Sequence, residues 1–238
     1  MKKSAKKTDA GAALSSASSG KAPRRQSRSH RYKFAFIVPA YAGKRNANNE
    51  RHTAGVMALG RCIDSILQQT DPNCRIIVVN DGASLEMREL IQEFSTFKPQ
   101  HSDTLIPITY MQAPYRGQRG GHDSINMALS VLEDDCDFVT FLNADNTIRP
   151  EYIEKMYNAE ADVLLCMVKM NDIPGTVLTG QSFTRGYIDR LNYSIRASIA
   201  RNIRHKLHLS ADCDYVIDAT QMMENPFHVV EEILAEHN

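Results

Sequence analysis

A carboxylate at the end of a largely apolar run is the feature of this sequence with the clearest chemistry. Residues 138–142 form the run, and Asn143, Ala144, Asp145 and Asn146 follow it directly. A buried strand that stops at an acid delivers that acid to the edge of a sheet, where ligands bind in open α/β folds. Because Mg²⁺-like ions take oxygen donors, Asp145 is a candidate metal ligand. The alternative is an ordinary turn, which Asn and Asp both favour.

Two earlier segments repeat this arrangement. The run 75–80 ends at Asp81, and the run 34–38 ends at Pro39 and Tyr41. Apolar residues at helical spacing lie between these runs, so strands and helices alternate along the chain. The sequence therefore predicts an α/β nucleotide-binding architecture, in which a mostly parallel sheet is flanked by helices.

Several blocks of the chain resemble the inverting family 2 glycosyltransferases of GT-A fold. Their order and spacing match that family as well as their residue types. The blocks are residues 36–41, 62–70, 76–84, 119–128 and 141–146. The resemblance covers roughly residues 34 to 150 and thins beyond them, although residues 210–215 and 231–237 resemble the family's later blocks.

The resemblance implies transfer of a sugar from a nucleoside diphosphate sugar, with a UDP-sugar as the first expectation. Residues expected to contact this donor are Pro39, Tyr41, Asp81, Arg119, His122, Asn143 and Ala144. Asp81 matches the acid that contacts the nucleotide base. The glycines between Arg119 and His122 would let backbone amides approach phosphate oxygens, and Arg119 would add charge. The alternative for this loop is an arginine that is merely solvated.

The resemblance also implies a divalent cation, Mn²⁺ or Mg²⁺, held by Asp145 and His237. Such an ion would neutralise the charge that develops on the leaving diphosphate. Asn143 and Asn146 stand where the family often has acidic or other polar residues, so one carboxylate remains at this position. His237 is the second residue from the end of the sequence, where the alternative is a frayed, solvated side chain.

An inverting transfer needs a base that takes the proton of the acceptor hydroxyl. The resemblance implies that Asp212 is this base, although Ala211 stands where the family has an acid. Asp214 and Asp218 are rivals with the same chemistry. A polar helix start is the alternative for Asp212.

Charge is distributed unevenly along a chain whose net charge is zero. Residues 1–33 hold ten Lys or Arg and one acid, so they carry +9 and the remainder carries −9. This segment is rich in Ser, Ala and Gly without apolar periodicity, which predicts a disordered basic tail over 1–32 and one catalytic domain over 33–238. The tail is expected to bind a polyanion such as a nucleic-acid acceptor. The alternative is a solubilising tail on an acidic core.

The sequence has neither a membrane-span pattern nor a disulfide pattern. No apolar run approaches the roughly 20 residues that cross a bilayer, and no apolar signal region opens the sequence. The five cysteines are odd in number, widely spaced and without a CxxC pair. We therefore expect a cytoplasmic protein with reduced, packed cysteines.

Two other function classes stay open. A non-catalytic nucleotide-sugar-binding module is suggested by the reduced number of acids near Asp145. A nucleotidyltransferase would share the alternation of strands and helices and the acid-bound metal. The donor sugar, the base and the acceptor depend on the loops 42–54 and 173–204, whose sequences do not name them.

Overall fold

The first strand, β1 (Tyr32–Ala40), defines the two faces of the sheet. The computed structural model describes residues 32–41, 50–82, 84–99, 102–113, 121–181, 183–206 and 211–238. Residues 34–40 of β1 are buried, as expected of a strand covered on both faces. Because side chains alternate along a strand, Phe34, Phe36 and Val38 face one layer of the core, whereas Ala35 and Ile37 face the other.

Helices and strands alternate over the described residues as the sequence predicts. After β1 the elements are α1 (Glu50–Leu67), β2 (Cys74–Asn80), α2 (Leu85–Phe94), β3 (Ile108–Gln112), α3 (His122–Ser130), β4 (Cys136–Phe141), β5 (Thr147–Ile148), α4 (Tyr152–Met156), β6 (Val163–Met170), β7 (Thr176–Leu178), a 3-10 turn η1 (Arg190–Asn192), β8 (Tyr193–Arg196), α5 (Ala197–Ala200), α6 (Ala211–Thr220) and β9 (Phe227–His237).

The described strands form one mixed sheet in the order β3-β2-β1-β4-β8-β6-β9-β5, with β7 paired to β6. β1 pairs in parallel with β2 and β4, and β2 pairs in parallel with β3. β8 enters antiparallel between β4 and β6, and β9 runs parallel to β6. The longer ladders are parallel, which confirms the predicted sheet. The strands β1 to β4, β6 and β9 therefore end at one edge, which we call the carboxyl edge.

Helices cover both faces of this sheet. α1, α2 and α4 pack on the layer that contains Phe34 and Phe36, and α3, α5 and α6 pack on the opposite layer. The helical patterns predicted for α1 and α2 are confirmed. All five cysteines are buried and unpaired, as the sequence analysis expects.

Some predictions fall on residues that the structure does not describe. These are Arg119, the loop residues 42–49 and the basic tail up to residue 31, whereas Tyr32 already begins β1. Within the described ranges, no helix combines the length and the apolar character that crossing a membrane requires.

Candidate functional site

The ends of β1 and β2 place the first predicted donor residues at the carboxyl edge. Pro39 is buried and pairs with Val79 of β2. Asp81 follows β2 and is nearly buried, and its backbone N–H donates to the carbonyl oxygen of Ala40 at 2.7 Å. Tyr41 is 43% exposed. The end of β1 thus offers an aromatic ring to solvent, close to an aspartate whose backbone is held by β1.

The start of α3 is fastened to the end of β1 by a glycine. Gly121 has φ +77°, and a Cβ at this position would lie 2.7 Å from Cβ of Pro39. Both the backbone conformation and the close approach therefore require glycine. Consequently His122, the first residue of α3, is held in a buried position near the end of β1.

A cleft of about 570 Å³ opens beside α3. Its lining includes Asp81, Asp123, Ser124 and Asn126. Asn126 also fixes the opposite wall, because its Nδ2 donates to the carbonyl oxygen of His205 at 3.0 Å and its Oδ1 accepts from the N–H of His205 at 2.9 Å. This volume is within the range of small-molecule sites.

The turn after β4 presents Asp145 to solvent. Asn143 and Ala144 are half-buried, whereas the side chain of Asp145 is exposed and makes no hydrogen bond or ion pair with the described residues. Asn238 holds this turn: its N–H donates to Oδ1 of Asn146 and its Nδ2 donates to the carbonyl oxygen of Asp145, each at 3.1 Å.

His237 is not frayed, because it is part of β9. It pairs with Met170 of β6, and its carbonyl oxygen accepts the N–H of Asn171 at 2.8 Å. Its Nδ1 lies 3.6 Å from Oδ1 of Asp172, and its Nε2 lies 3.9 Å from Oδ2 of Asp189. Two carboxylates therefore flank the imidazole, next to the turn that carries Asp145.

Asp189 is a site residue that the sequence analysis missed. Its Oδ1 accepts the N–H of Leu191 at 2.9 Å, which caps η1. Burial raises the pKa of Asp189, and the nearby carboxylate of Asp212 raises it further, although the amide of Leu191, Arg190 and His237 oppose this. The pattern Asp-x-x-Asn over 189–192 predicts a cap, but nothing local predicts that the acid faces His237 and Asp212.

Asp212 lies in the first turn of α6, close to Asp189. Its Oδ1 is 3.0 Å from Nη2 of Arg190, whose side chain is only 6% exposed. Tyr193, at the start of β8, donates its hydroxyl to the carbonyl oxygen of Asp212 at 3.2 Å. The antiparallel entry of β8 thus brings Asp212 to the carboxyl edge.

His205 is a second residue that the sequence analysis missed. Its ring stacks on Tyr215 with 3.9 Å between ring centroids and meets Phe141 edge-on at 5.0 Å. Burial lowers the pKa of His205 well below its usual value, and the charges of Arg190 and His122 lower it further. The imidazole is therefore neutral at pH 7. The flanking sequence carried no pattern that singles it out.

Residues 49–162 match the family model described as Glycosyl transferase family 2. The matched segment spans a little under half of the chain. The chain is also 30% identical over 125 residues to Glycosyltransferase GlyA of Streptococcus pneumoniae, and this match covers 52% of this chain but only 14% of GlyA. The chain thus corresponds to a small part of that relative.

Solved glycosyltransferase structures share the fold of this chain. TarS 1-349 of S. aureus superposes with a TM-score of 0.64 at 16% identity, over 87% of this chain and 60% of that chain. Its complex with UDP-GlcNAc has a TM-score of 0.60 at 15% identity, over 86% of this chain and 58% of that chain. Mannosyltransferase PcManGT of Pyrobaculum calidifontis was solved in complex with GDP-Man and Mn²⁺. It has a TM-score of 0.57 at 10% identity, over 88% of this chain and 57% of that chain. These likenesses confirm the predicted GT-A fold.

The ligand atoms at the carboxyl edge fit a divalent cation. The carboxylate of Asp145 has no hydrogen bond or ion pair with the described residues, and Nδ1 of His237 is buried without a hydrogen bond there. A carboxylate oxygen and an imidazole nitrogen suit an Mn²⁺-like ion, and the carboxylates beside His237 add negative charge. These two residues, which the sequence analysis selected, remain the predicted metal ligands.

Proposed function

We propose that the protein is a metal-dependent inverting glycosyltransferase that moves a sugar from a nucleoside diphosphate sugar to an acceptor hydroxyl. The observation that carries the proposal is the position of three carboxylates in a chain whose residues 49–162 match the family 2 model. Asp81 follows β2, Asp145 follows β4, and Asp212 is held beside the start of β8, all at the carboxyl edge. Each matches a different part of the reaction: base recognition, leaving-group stabilisation and proton removal.

The donor nucleotide would lie over the ends of β1 and β2. Asp81 would accept a hydrogen bond from the base, and the exposed ring of Tyr41 would stack beside it, with Pro39 below. The N-terminus of α3, where His122 lies, offers backbone amides to the diphosphate. TarS was solved with UDP-GlcNAc, and PcManGT was solved with GDP-Man. UDP is the expected nucleotide because the TarS complex has the higher TM-score of the two.

Asp145 and His237 would hold the divalent cation. When bound, the ion supplies positive charge to the diphosphate oxygens as the bond to the sugar breaks. The half-buried Asn143 and Ala144 precede Asp145 in the same turn and would face the ribose and the sugar.

Asp212 would act as the base. Its carboxylate removes the proton of the acceptor hydroxyl while the oxygen attacks the anomeric carbon, and the bond from that carbon to the diphosphate breaks with its electron pair on the leaving group. Attack from the face opposite the diphosphate inverts the configuration of the sugar. The ion pair with Arg190 at 3.0 Å fixes the orientation of Asp212 for this step.

A thermal-shift screen tests donor binding. UDP-GlcNAc, UDP-glucose and GDP-mannose are compared with Mn²⁺, with Mg²⁺ and with EDTA. A ligand at 100 times its dissociation constant stabilises the protein by about 2.7 kcal/mol, so binding is easily detected. Asp81→Asn should reduce the shift, whereas Asp103→Asn, at an exposed loop position, should not. Equal shifts in both variants would show that the nucleotide does not bind at Asp81.

Product analysis separates the three function classes. With a bound donor and a panel of acceptors that includes small glycosides and DNA, a glycosyltransferase releases nucleoside diphosphate. A nucleotidyltransferase instead handles a sugar phosphate and a nucleoside triphosphate and releases pyrophosphate. Donor binding with neither product across the panel would favour the binding module over the enzyme.

A further inference from the structure

Three side chains of types that bind metals, including that of Asp212, lie close together. One ligand atom from each of His122, His205 and Asp212 lies within 4.8 Å of the other two. We propose that these residues form a second metal site, distinct from Asp145 and His237, that binds a divalent transition ion such as Zn²⁺ or Co²⁺. The three residues come from different elements, α3, the segment after α5, and α6, so the fold rather than the local sequence assembles the site.

His205 is the strongest indication that something binds at this place. It is 2% exposed, and neither of its ring nitrogens has a hydrogen bond among the described residues. Buried polar atoms in native proteins almost always have a partner, and leaving one without a partner costs stability. The ring is held in place by Tyr215 and Phe141, so its orientation toward the cluster is fixed. A metal ion bonded to one of the two nitrogens would give that nitrogen a partner.

The donor set selects the class of ion. Two imidazole nitrogens and one carboxylate oxygen suit Zn²⁺, Co²⁺, Ni²⁺ and Fe²⁺, whereas Mg²⁺ prefers an all-oxygen shell. The imidazole of His205 is neutral, so it offers a lone pair at pH 7. Arg190 opposes a cation here, because its guanidinium pairs with Asp212, but the half-buried carboxylate of Asp189 lies next to both and offsets that charge.

An ion at this site would control the reaction if the proposed function holds. A carboxylate bound to a metal is a weaker base, so Zn²⁺ at Asp212 would inhibit sugar transfer. This consequence rests on the role proposed for Asp212. The metal site itself does not, because its binding is measured without sugar or turnover.

Cobalt absorption tests the site directly. Untagged full-length protein is titrated with Co²⁺ in excess Mg²⁺, which competes for the proposed site at Asp145 and His237, and the visible absorption of bound Co²⁺ is recorded. His205→Phe keeps an aromatic ring on Tyr215 but removes both nitrogens. Since loss of a mere supporting residue costs about 10–100-fold in metal affinity, loss of this ligand should cost at least about 100-fold. His228→Phe, the same change on β9 where His228 contacts Asn158, is the matched control and should bind as the unaltered protein does.

Three results would overturn the proposal: no Co²⁺ absorption in the unaltered protein, equal affinity in His205→Phe, or an equal loss in His228→Phe. If thermal melting shows that His205→Phe does not fold, Asp212→Asn replaces it, and unchanged Co²⁺ affinity in that variant also overturns the site. Failure of the donor screen would contradict the proposed function and leave the cobalt result unaffected.

Discussion

Asp212 differs from the two other acids of α6 in what it contacts. Asp214 lies 3.9 Å from the exposed Arg185, and Asp218 lies 2.8 Å from Lys206, so both are engaged with surface cations. Asp212 instead contacts the buried Arg190. Residues two positions apart on a helix point in different directions, which explains why neighbours in sequence have different surroundings. The structure therefore favours Asp212 over its rivals as the base.

Asp212→Asn should lower kcat and leave donor binding intact. The amide keeps the size of the carboxylate but has no basic lone pair, and general base catalysis contributes about 10² to 10⁴-fold. Steady-state release of nucleoside diphosphate measures kcat, and calorimetric titration with donor measures binding. A matching loss of donor affinity would indicate a binding role.

The two rival acids provide the controls for this measurement. Asp214→Asn and Asp218→Asn should each change kcat by less than about tenfold, since surface ion pairs contribute little. If Asp214→Asn instead causes the large loss while Asp212→Asn turns over normally, the base is misassigned within α6.

Asp145→Asn should abolish the metal-dependent part of the stabilisation by nucleoside diphosphate. It removes the only carboxylate of the turn after β4, whereas His237→Ala removes a donor that the flanking Asp172 and Asp189 could partly replace. The shift in melting temperature with UDP is measured in Mn²⁺ and in EDTA for both variants. His237→Ala should retain a reduced Mn²⁺ dependence. An unchanged Mn²⁺ dependence in Asp145→Asn would contradict the metal assignment.

At the scale of elements, strand-end residues were predictable and cross-chain contacts were not. Asp81 and Asp145 follow apolar runs, and such runs predict strands from local sequence alone. Asp189 and His205 acquire their neighbours only when β8 enters antiparallel between β4 and β6 and α6 packs beside it. The spacing of apolar residues within a short stretch of sequence does not indicate that β8 enters at this place.

The last strand shows the same limit. Residues 231–236 are rich in Glu, Leu and Ala, which favour helix, yet they lie in β9. Pairing with β6 from Val163–Phe227 to Met170–His237 overrides the local preference. The resemblance placed His237 at the site, whereas the sequence did not reveal that a strand would carry it there.

The junction between β1 and α3 depends on Gly121, so Gly121→Ala should disturb both. An alanine at this position would have to adopt a positive φ, and its Cβ would lie 2.7 Å from Cβ of Pro39. Strained backbone and overpacking each cost about 1–3 kcal/mol, so urea unfolding should show a loss in this range. Donor affinity should fall as well, because His122 and Pro39 must move apart.

Gly175→Ala separates strain from collision. Gly175 has φ +80°, and a Cβ there would meet no atom within 4 Å. This variant should therefore lose only the backbone part of the stability and keep full donor affinity. Equal donor affinity in the two variants would show that the junction does not position the donor site.

At the scale of the whole molecule, the charge of the chain is divided between its two parts. Residues 1–33 carry +9 and the remainder carries −9. The acidic remainder includes the carboxylates of the site, so an anionic acceptor would be repelled unless another part of the chain attracts it. The basic segment is suited to that role, because cations that contact phosphates release counterions and strengthen binding at low salt.

Deleting residues 1–31 should therefore weaken DNA binding at low salt and leave donor turnover on a small neutral acceptor unchanged. Each phosphate contact contributes about −0.9 to the slope of log affinity against log salt for duplex DNA, so the deletion should flatten that slope in fluorescence anisotropy titrations. Replacing the Lys and Arg residues of this segment with Gln keeps its length and should flatten the slope equally, because charge rather than length is responsible. Full-length and truncated protein with the same affinity and the same salt slope would rule out an acceptor-binding role and favour the solubilising alternative.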